Sequence, residues 1–360
     1  MTEKEKTLKH LKSWFRPSVL KMKGYVPGEQ PKNLSTIKLN TNENPYPPSA
    51  AVLKAVRDQA DFRLRLYPEP TADTLRKALS RVYRWPVEGI LVGNGSDEIL
   101  TLLFAAAVGK GDQVQFPDIT YSLYPVLTQI REGRIREVKL NLDWSLDFKK
   151  LNPKARLTLW GYPNPPIGNC FPMAEMKAFC KKAKGLVLID EAYVDFSNNN
   201  CLAIAKVCPN VLILRTMSKS FSLAGARLGY VFGHPDVIAQ LMKVKDSYNV
   251  NRVTQAIGIA AMSVGSLKDM KKNVANIRLE RNSLIESLRD LDFDVPDSEA
   301  NFFLATRPGM PSAAALYKNL KKRGVLVRYF SHPRLRHSLR VTVGTPAQNS
   351  RLLAELKKLL

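Results

Sequence analysis

A lysine set among hydroxyls is the first chemical signal in this chain. Thr216-Met217-Ser218-Lys219-Ser220-Phe221-Ser222 follows the apolar run Val211-Leu212-Ile213-Leu214, and Arg227 comes shortly after. A lysine delivered to the end of a buried strand gives up its proton more easily than a solvated one, and its amine can then attack a carbonyl. A second apolar run, Leu186-Val187-Leu188-Ile189, leads into Asp190-Glu191-Ala192-Tyr193. An isolated carboxylate is costly there, so Asp190 is expected to meet a cationic partner. A third run, Ile90-Leu91-Val92, enters Gly93-Asn94-Gly95-Ser96-Asp97-Glu98 at the start of an expected helix. Glycines let backbone amides close on an anion, and the free amides of a helix start favour phosphate. Ser96 with two acids behind it also suits a plain helix cap. Glu98 occupies the third glycine position of a dinucleotide-binding GxGxxG, so that fingerprint is absent.

An amine, an acid and an anion cradle on successive strand ends are together what pyridoxal phosphate demands. That aldehyde cofactor needs a lysine for its Schiff base, an acid on the pyridine nitrogen and a seat for its phosphate. Lys219, Asp190, and the Gly95-Ser96 turn with Ser218 and Arg227 meet the three demands.

These residues need a scaffold of buried strands. Helical periodicity covers 50–59, 71–83, 98–108, 124–130 and 173–183, and short apolar strands cover 90–92, 113–116, 157–160, 186–189 and 211–214. Such alternation predicts an α/β fold, a large domain whose mainly parallel sheet is sandwiched by helices. Ligands of open parallel sheets sit beyond the carboxyl ends of the strands, where the three signals cluster. A long helical stretch over 253–291 is expected to lead into a smaller α+β domain with strands at 302–304 and 339–343. The expected division is an N-terminal arm over 1–35, with a short amphipathic helix through Leu8, Leu11, Trp14 and Phe15. A large domain over 36–254 and a small domain over 255–360 follow, the small one joined by the N-terminal segment.

Composition narrows the function classes. The chain has 360 residues, 45% of them hydrophobic, with no membrane-length apolar run and no apolar leader after Met1-Thr2-Glu3, which points to a cytoplasmic protein. Cys170, Cys180, Cys201 and Cys208 are expected to be reduced, and their spacing with four histidines predicts no metal centre. The net charge of +23 is spread over helix faces such as Lys181-Lys182-Lys184 and Lys321-Lys322-Arg323. That pattern argues against nucleic acid and membrane partners while suiting phosphorylated substrates.

Ten ordered segments also resemble the fold-type I pyridoxal-phosphate aminotransferases, most closely their histidinol-phosphate branch. They are GYVPG from Gly24, NTNENPYPP from Asn40, RLYPEP from Arg65, GNGSDEIL from Gly93, FPDITYSLYP from Phe116, LIDEAYVDF from Leu188, SKSFSLAGARLGY from Ser218, KVKDSYNVNR from Lys243, GVLVRYF from Gly324 and LRVTVGTP from Leu339. The resemblance implies that Lys219 carries the cofactor and shuttles the proton at substrate Cα, and that Asp190 keeps the pyridine nitrogen protonated. It implies that Tyr193 and Asn164 bond the phenolic oxygen and that Tyr121 stacks on the ring. Backbone amides around Ser96 and Asp97, in the Gly95-Ser96 turn, with Ser218 and Arg227, would bind the phosphate.

The same resemblance implies a homodimer in which Tyr67 reaches the partner's cofactor phosphate. Arg340 would take the carboxylate of the amino or oxo acid, and Arg328 with Tyr25 the phosphate of the substrate. One segment departs from the family: its Asn-Asn-Pro-Thr-Gly loop reads Pro163-Asn164-Pro165-Pro166-Ile167-Gly168. Rival readings are an aromatic amino-acid aminotransferase, a phosphothreonine decarboxylase on the same architecture, and a non-catalytic nucleic-acid-binding relative.

Overall fold

The computed structural model describes residues 10–31, 33 and 35–360; Leu8 of the expected N-terminal helix lies outside them. Twelve strands occur among the described residues: β1 (Ile37–Lys38), β2 (Ile90–Asn94), β3 (Gln113–Pro117), β4 (Arg134–Val138), β5 (Leu157–Gly161), β6 (Leu186–Asp190), β7 (Val211–Thr216), β8 (Leu228–Phe232), β9 (Phe302–Thr306), β10 (Val325–Leu326), β11 (Arg328–Tyr329) and β12 (Ser338–Thr342). Seven form one sheet in the order β2-β8-β7-β6-β5-β3-β4. Only β8 opposes its neighbours in that sheet; it pairs antiparallel with both β7 and β2.

The central strands of the sheet are buried on both faces, which explains their continuous apolar runs. Val187, Ile189, Val211, Ile213 and Tyr230 enter the core on one face. Leu188, Leu212, Leu214 and Val231, the alternate residues, enter the core on the other, against Ile99, Leu103 and Phe104 of helix Ser96–Ala107. No crossover helix separates β7 from β8, so the chain turns back on itself through residues 217–227. That return places Lys219 and Arg227 beside the end of β2, because β2 runs the same way as β7.

A second core lies between the three-stranded antiparallel sheet β11-β12-β9 and the helices at 264–289, 313–322 and 346–357. Leu39 joins it, and β1 pairs in parallel with β10, so the segment just after the arm is built into this unit. Two expectations need correction. The helical stretch expected over 253–291 is two helices, Arg252–Ala261 and Val264–Arg289, because Ser263 adopts an extended conformation and caps the second through the Ser266 amide. The edge strand β4 was not expected from the pattern, since four of its five residues, Arg134, Ile135, Arg136 and Glu137, are exposed. Charged edges of this kind deter further pairing and hide the strand's periodicity.

Candidate active site

The phosphate cradle depends on two glycines. Gly95 has φ +84°, and a Cβ there would collide with the Arg227 guanidinium; a Cβ at Gly229 would collide with the Ser96 amide. Without side chains at these positions, the β7–β8 return lies directly on the turn that opens helix Ser96–Ala107. No side chain caps that helix at Gly95, so its first amides remain free for an anion. Arg227 stands over them, 3.5 Å from Asp97 Oδ2 and 3.5 Å from the Ser218 hydroxyl it donates to. Thr216 Oγ1 accepts from the Ser218 amide at 3.1 Å and donates to Ser218 Oγ at 2.9 Å, which holds that hydroxyl at the rim.

Lys219 and Asp190 carry the strongest electrostatic signals. Burial, then the nearby Arg340 charge, lowers the Lys219 ammonium to about 8, and its Nζ donates to the Thr41 carbonyl at 3.1 Å. Asp190 closes β6 and is buried; burial raises its carboxyl to about 6. The cationic partner expected for it is not found among the described residues. Its oxygens accept instead from the Tyr124 hydroxyl at 2.9 Å and the Ala192 amide at 3.1 Å. Two neutral hydrogen bonds do not offset the loss of solvation, so this carboxyl is held ready for a cation.

The aromatic residues are brought to the same place. Tyr121 donates to Asp97 Oδ1 at 3.0 Å and meets Tyr25 edge to face at 5.9 Å between centroids. The Tyr193 ring lies 5.6 Å from Lys219 Nζ and packs edge to face on Phe302 at 4.8 Å. Asn164 is fully buried; its amide donates to the Ile119 carbonyl at 2.9 Å and its oxygen accepts from Thr120 at 2.7 Å. The proline-rich departure is therefore accommodated with Asn164 already engaged, leaving one amide hydrogen for a ligand.

The two arginines face each other in register, Arg328 on β11 opposite Arg340 on β12. Arg340 donates to the Asn40 carbonyl at 2.6 Å, while its buried Nε has no partner among the described residues. Burial lowers its pKa, and a carboxylate would relieve both deficits. Arg328 reaches the Pro27 carbonyl at 3.4 Å and lies 5.4 Å from the Phe330 ring. Tyr67 is not brought to the site within this chain: it is 76% exposed and stacks on Tyr248 at 4.3 Å.

Sequence reasoning gave no role to Tyr124 or Asn42, which hold Asp190 and Tyr193 respectively. Tyr124 read only as the start of the helix expected over 124–130, although the doublet Tyr121 and Tyr124 was a usable sign. It also passed over the buried pair of Glu191 and Arg215, joined at 2.6 Å, which ties the residue after Asp190 to β7. The residues present fit pyridoxal phosphate: an amine lowered toward neutrality, a buried carboxyl lacking a cation and an uncapped helix start under an arginine share one sheet edge. Among the described residues no cluster of His, Cys, Asp and Glu is placed to hold a metal ion, and no helix is long and apolar enough to cross a membrane.

Comparison with known proteins agrees with this geometry. The aminotransferase class I and II family matches residues 35–356. The histidinol-phosphate aminotransferase of Crocosphaera subtropica is 44% identical over 346 residues, covering 96% of this chain and 98% of its own. That of Rippkaea orientalis is 43% identical over the same shares. Among solved structures, the histidinol-phosphate aminotransferase of Sinorhizobium meliloti in complex with pyridoxal-5'-phosphate superposes with a TM-score of 0.88 at 23% identity, covering 96% of this chain and 97% of that one. The Thermus thermophilus aspartate aminotransferase with maleate gives 0.80 at 21% identity, covering 90% and 92%.

Proposed function

The chain belongs to the class I and II aminotransferase family, and from that premise we propose that it exchanges the amino group of histidinol phosphate with 2-oxoglutarate. The products are imidazole-acetol phosphate and glutamate, a step of histidine biosynthesis in the cytoplasm. Pyridoxal phosphate, when bound, supplies an aldehyde that condenses with amines and a pyridine ring that draws electrons from substrate Cα. The chain's own residues supply the rest.

The Gly95-Ser96 turn, with the free amides of Ser96 and Asp97 at the helix start and with Ser218 and Arg227, seats the cofactor phosphate. Asp190 holds the proton of the pyridine nitrogen, and that cation gives the carboxylate the partner it lacks. Tyr193 and Asn164 orient the phenolic oxygen, and Tyr121 covers the ring. Lys219, lowered to about 8, holds the cofactor and then moves the proton between substrate Cα and the cofactor carbon. Arg340 binds the carboxylate of glutamate or 2-oxoglutarate through the fork whose Nε is free. Arg328 and Tyr25 bind the phosphate of histidinol phosphate.

The observation that carries the substrate reading is the facing pair of Arg328 and Arg340 in a chain whose curated relatives bear that activity's name. Two anionic groups must be received in alternating half-reactions, and two guanidiniums on adjacent strands provide for both. We further propose a homodimer, with an arm over 1–35, a cofactor-binding domain over 36–254 and a small domain over 255–360. Phe62, Leu64, Leu66 and Tyr67 are 73%, 59%, 45% and 76% exposed in one chain, and four large exposed apolar side chains within six residues, interrupted only by Arg63 and Arg65, favour a covered surface.

The test is to load the protein with pyridoxal phosphate and add histidinol phosphate without any oxo acid. The visible band of the lysine-bound cofactor should vanish as pyridoxamine phosphate forms. If aromatic amino acids discharge the band and histidinol phosphate leaves it intact, the substrate reading is wrong.

A further inference from the structure

Tyr193 is held by a residue that the reaction itself does not require. Asn42 is 1% exposed and sits at φ +58°, a left-handed conformation that asparagine tolerates better than most side chains. Its backbone amide donates to Thr342 Oγ1 at 3.0 Å. Its carbonyl accepts from Asn301 at 3.0 Å, which fixes the segment from the other side. Its side chain meets Thr342 Oγ1 again, at 3.1 Å through Oδ1, and meets the Tyr193 hydroxyl at 2.9 Å through Nδ2.

The directions of these bonds follow from donor inventory. A backbone amide can only donate, so Thr342 Oγ1 is the acceptor in its bond with the Asn42 amide, and the single hydroxyl proton is left for Asn42 Oδ1. With Oδ1 engaged as acceptor, the amino group of Asn42 must face Tyr193 as donor. The phenol oxygen then accepts, and its own proton has no acceptor among the described residues. That proton remains for a ligand.

The geometry points to a hydrogen-bond relay, from the Asn42 amide through Thr342 and the Asn42 side chain, that fixes the polarity of the Tyr193 hydroxyl so that it donates into the site. The inference rests on the cofactor reading above, in which the acceptor is the phenolic oxygen. Asn42 and Thr342 are positioning residues, acting only through Tyr193. Thr342 lies two residues beyond Arg340 on β12 and so shares its face of the strand. One short strand thus presents the arginine for the substrate carboxylate and the hydroxyl that orients the cofactor's tyrosine. Burial keeps the Tyr193 phenol near 12, so it remains a neutral donor at any working pH. The charged and titratable groups that face it are Lys219 from the β7–β8 return, Arg340 from β12, Asp190 from β6 and Tyr25 from the arm.

The experiment is a pH titration of the visible band of the lysine-bound cofactor in wild type, Asn42→Asp, Thr342→Val and Thr342→Ser. Aspartate matches asparagine in size and accepts the same φ, but puts a charged acceptor where a donor stood, so it captures the Tyr193 proton. A hydrogen bond to the phenolate favours the deprotonated chromophore, and losing it to a nearby charge should raise the midpoint by roughly one unit or more. Thr342→Val removes the proton that pins the Asn42 amide and should shift the midpoint upward by less, while Thr342→Ser should restore the wild-type value. If Asn42→Asp fails to fold or to hold the cofactor, the contrast between valine and serine at 342 decides the matter. Variants that keep the band and titrate with the wild-type midpoint overturn the relay while leaving the cofactor reading intact. A wild-type protein that forms no band overturns both.

Discussion

The two ends of the site are built differently. The proposed cofactor end rests on β6 and β7, whose residues from 187 to 190 and from 211 to 216 are all buried, so Asp190 and Lys219 are positioned by strands of the buried core. The substrate end rests on the two-residue β11 and the five-residue β12 of a separate small sheet. Its other proposed contributor is an exposed arm tyrosine, Tyr25. The end proposed to perform one unchanging proton transfer is anchored to a sheet covered on both faces. The proposed substrate end, which must receive two different substrates, is assembled from short strands of a separate sheet and from the arm.

The largest effects should come from the rigid end. Lys219→Ala is expected to abolish the lysine-bound visible band and to cost at least about 10²–10⁴-fold in turnover, the usual range for an acid–base group. Turnover that survives this change would move the chemistry elsewhere. Asp190→Asn should also cripple turnover, yet its effect on the protein without cofactor has the opposite sign. The folded carboxyl is raised from 3.8 to about 6. A group raised in this way takes up a proton on folding, so its favourable contribution is full below about pH 4, declines as pH rises to about 6, and is lost above that. Cofactor-free Asp190→Asn should therefore match wild type near pH 4 and exceed it at pH 8, by at most about 3 kcal/mol. Thermal melts at the two pH values check this, and a pH-independent difference between the two proteins would refute it.

At the adaptable end the effects should separate by substrate. Arg340→Ala should raise KM for 2-oxoglutarate and Arg328→Ala should raise KM for the phosphate ester, each about 10–100-fold, the scale of a lost charge-assisted hydrogen bond. Steady-state kinetics with each substrate varied in turn would show it. Equal effects of both variants on both substrates would dissolve the proposed division of labour.

The same contrast governs what the sequence could reveal. Strands β5, β6 and β7 were legible because burial on both faces demands uninterrupted apolar runs, and the chemistry at the ends of β6 and β7 stood out against them. The return from β7 to β8 was legible only as a cluster of residue types, since its shape depends on Gly95 and Gly229 letting two segments touch. β4 was illegible because it lies at an edge with charged residues. Tyr124 and Asn42 escaped notice because their roles are contacts across 66 and 151 residues of chain. Local pattern carries no record of such pairings. Arg328 and Arg340 were named through family resemblance alone; their facing register became visible only once β11 and β12 were paired.

Tyr67 offers the mildest perturbation and the sharpest topological test. Its ring stacks on Tyr248, and its carbonyl accepts from Arg252 at 3.1 Å, so the backbone is fixed while the hydroxyl is presented outward. If that hydroxyl bonds the cofactor phosphate of a second subunit, Tyr67→Phe should reduce turnover by only about fivefold, the value of one hydrogen bond near 1 kcal/mol. Mixing distinguishes the partner's site from its own. Tyr67→Ala and Lys219→Ala chains are each impaired, but a mixed dimer has one site with an intact lysine from one chain and an intact tyrosine from the other. Random pairing of equal amounts should yield about a quarter of wild-type activity, since half the dimers are mixed and each has one complete site. If Tyr67 serves its own chain, the mixed dimer contains no complete site beyond what the separate variants possess. Activity would then stay at their average, and the solvent-facing tyrosine would need another explanation.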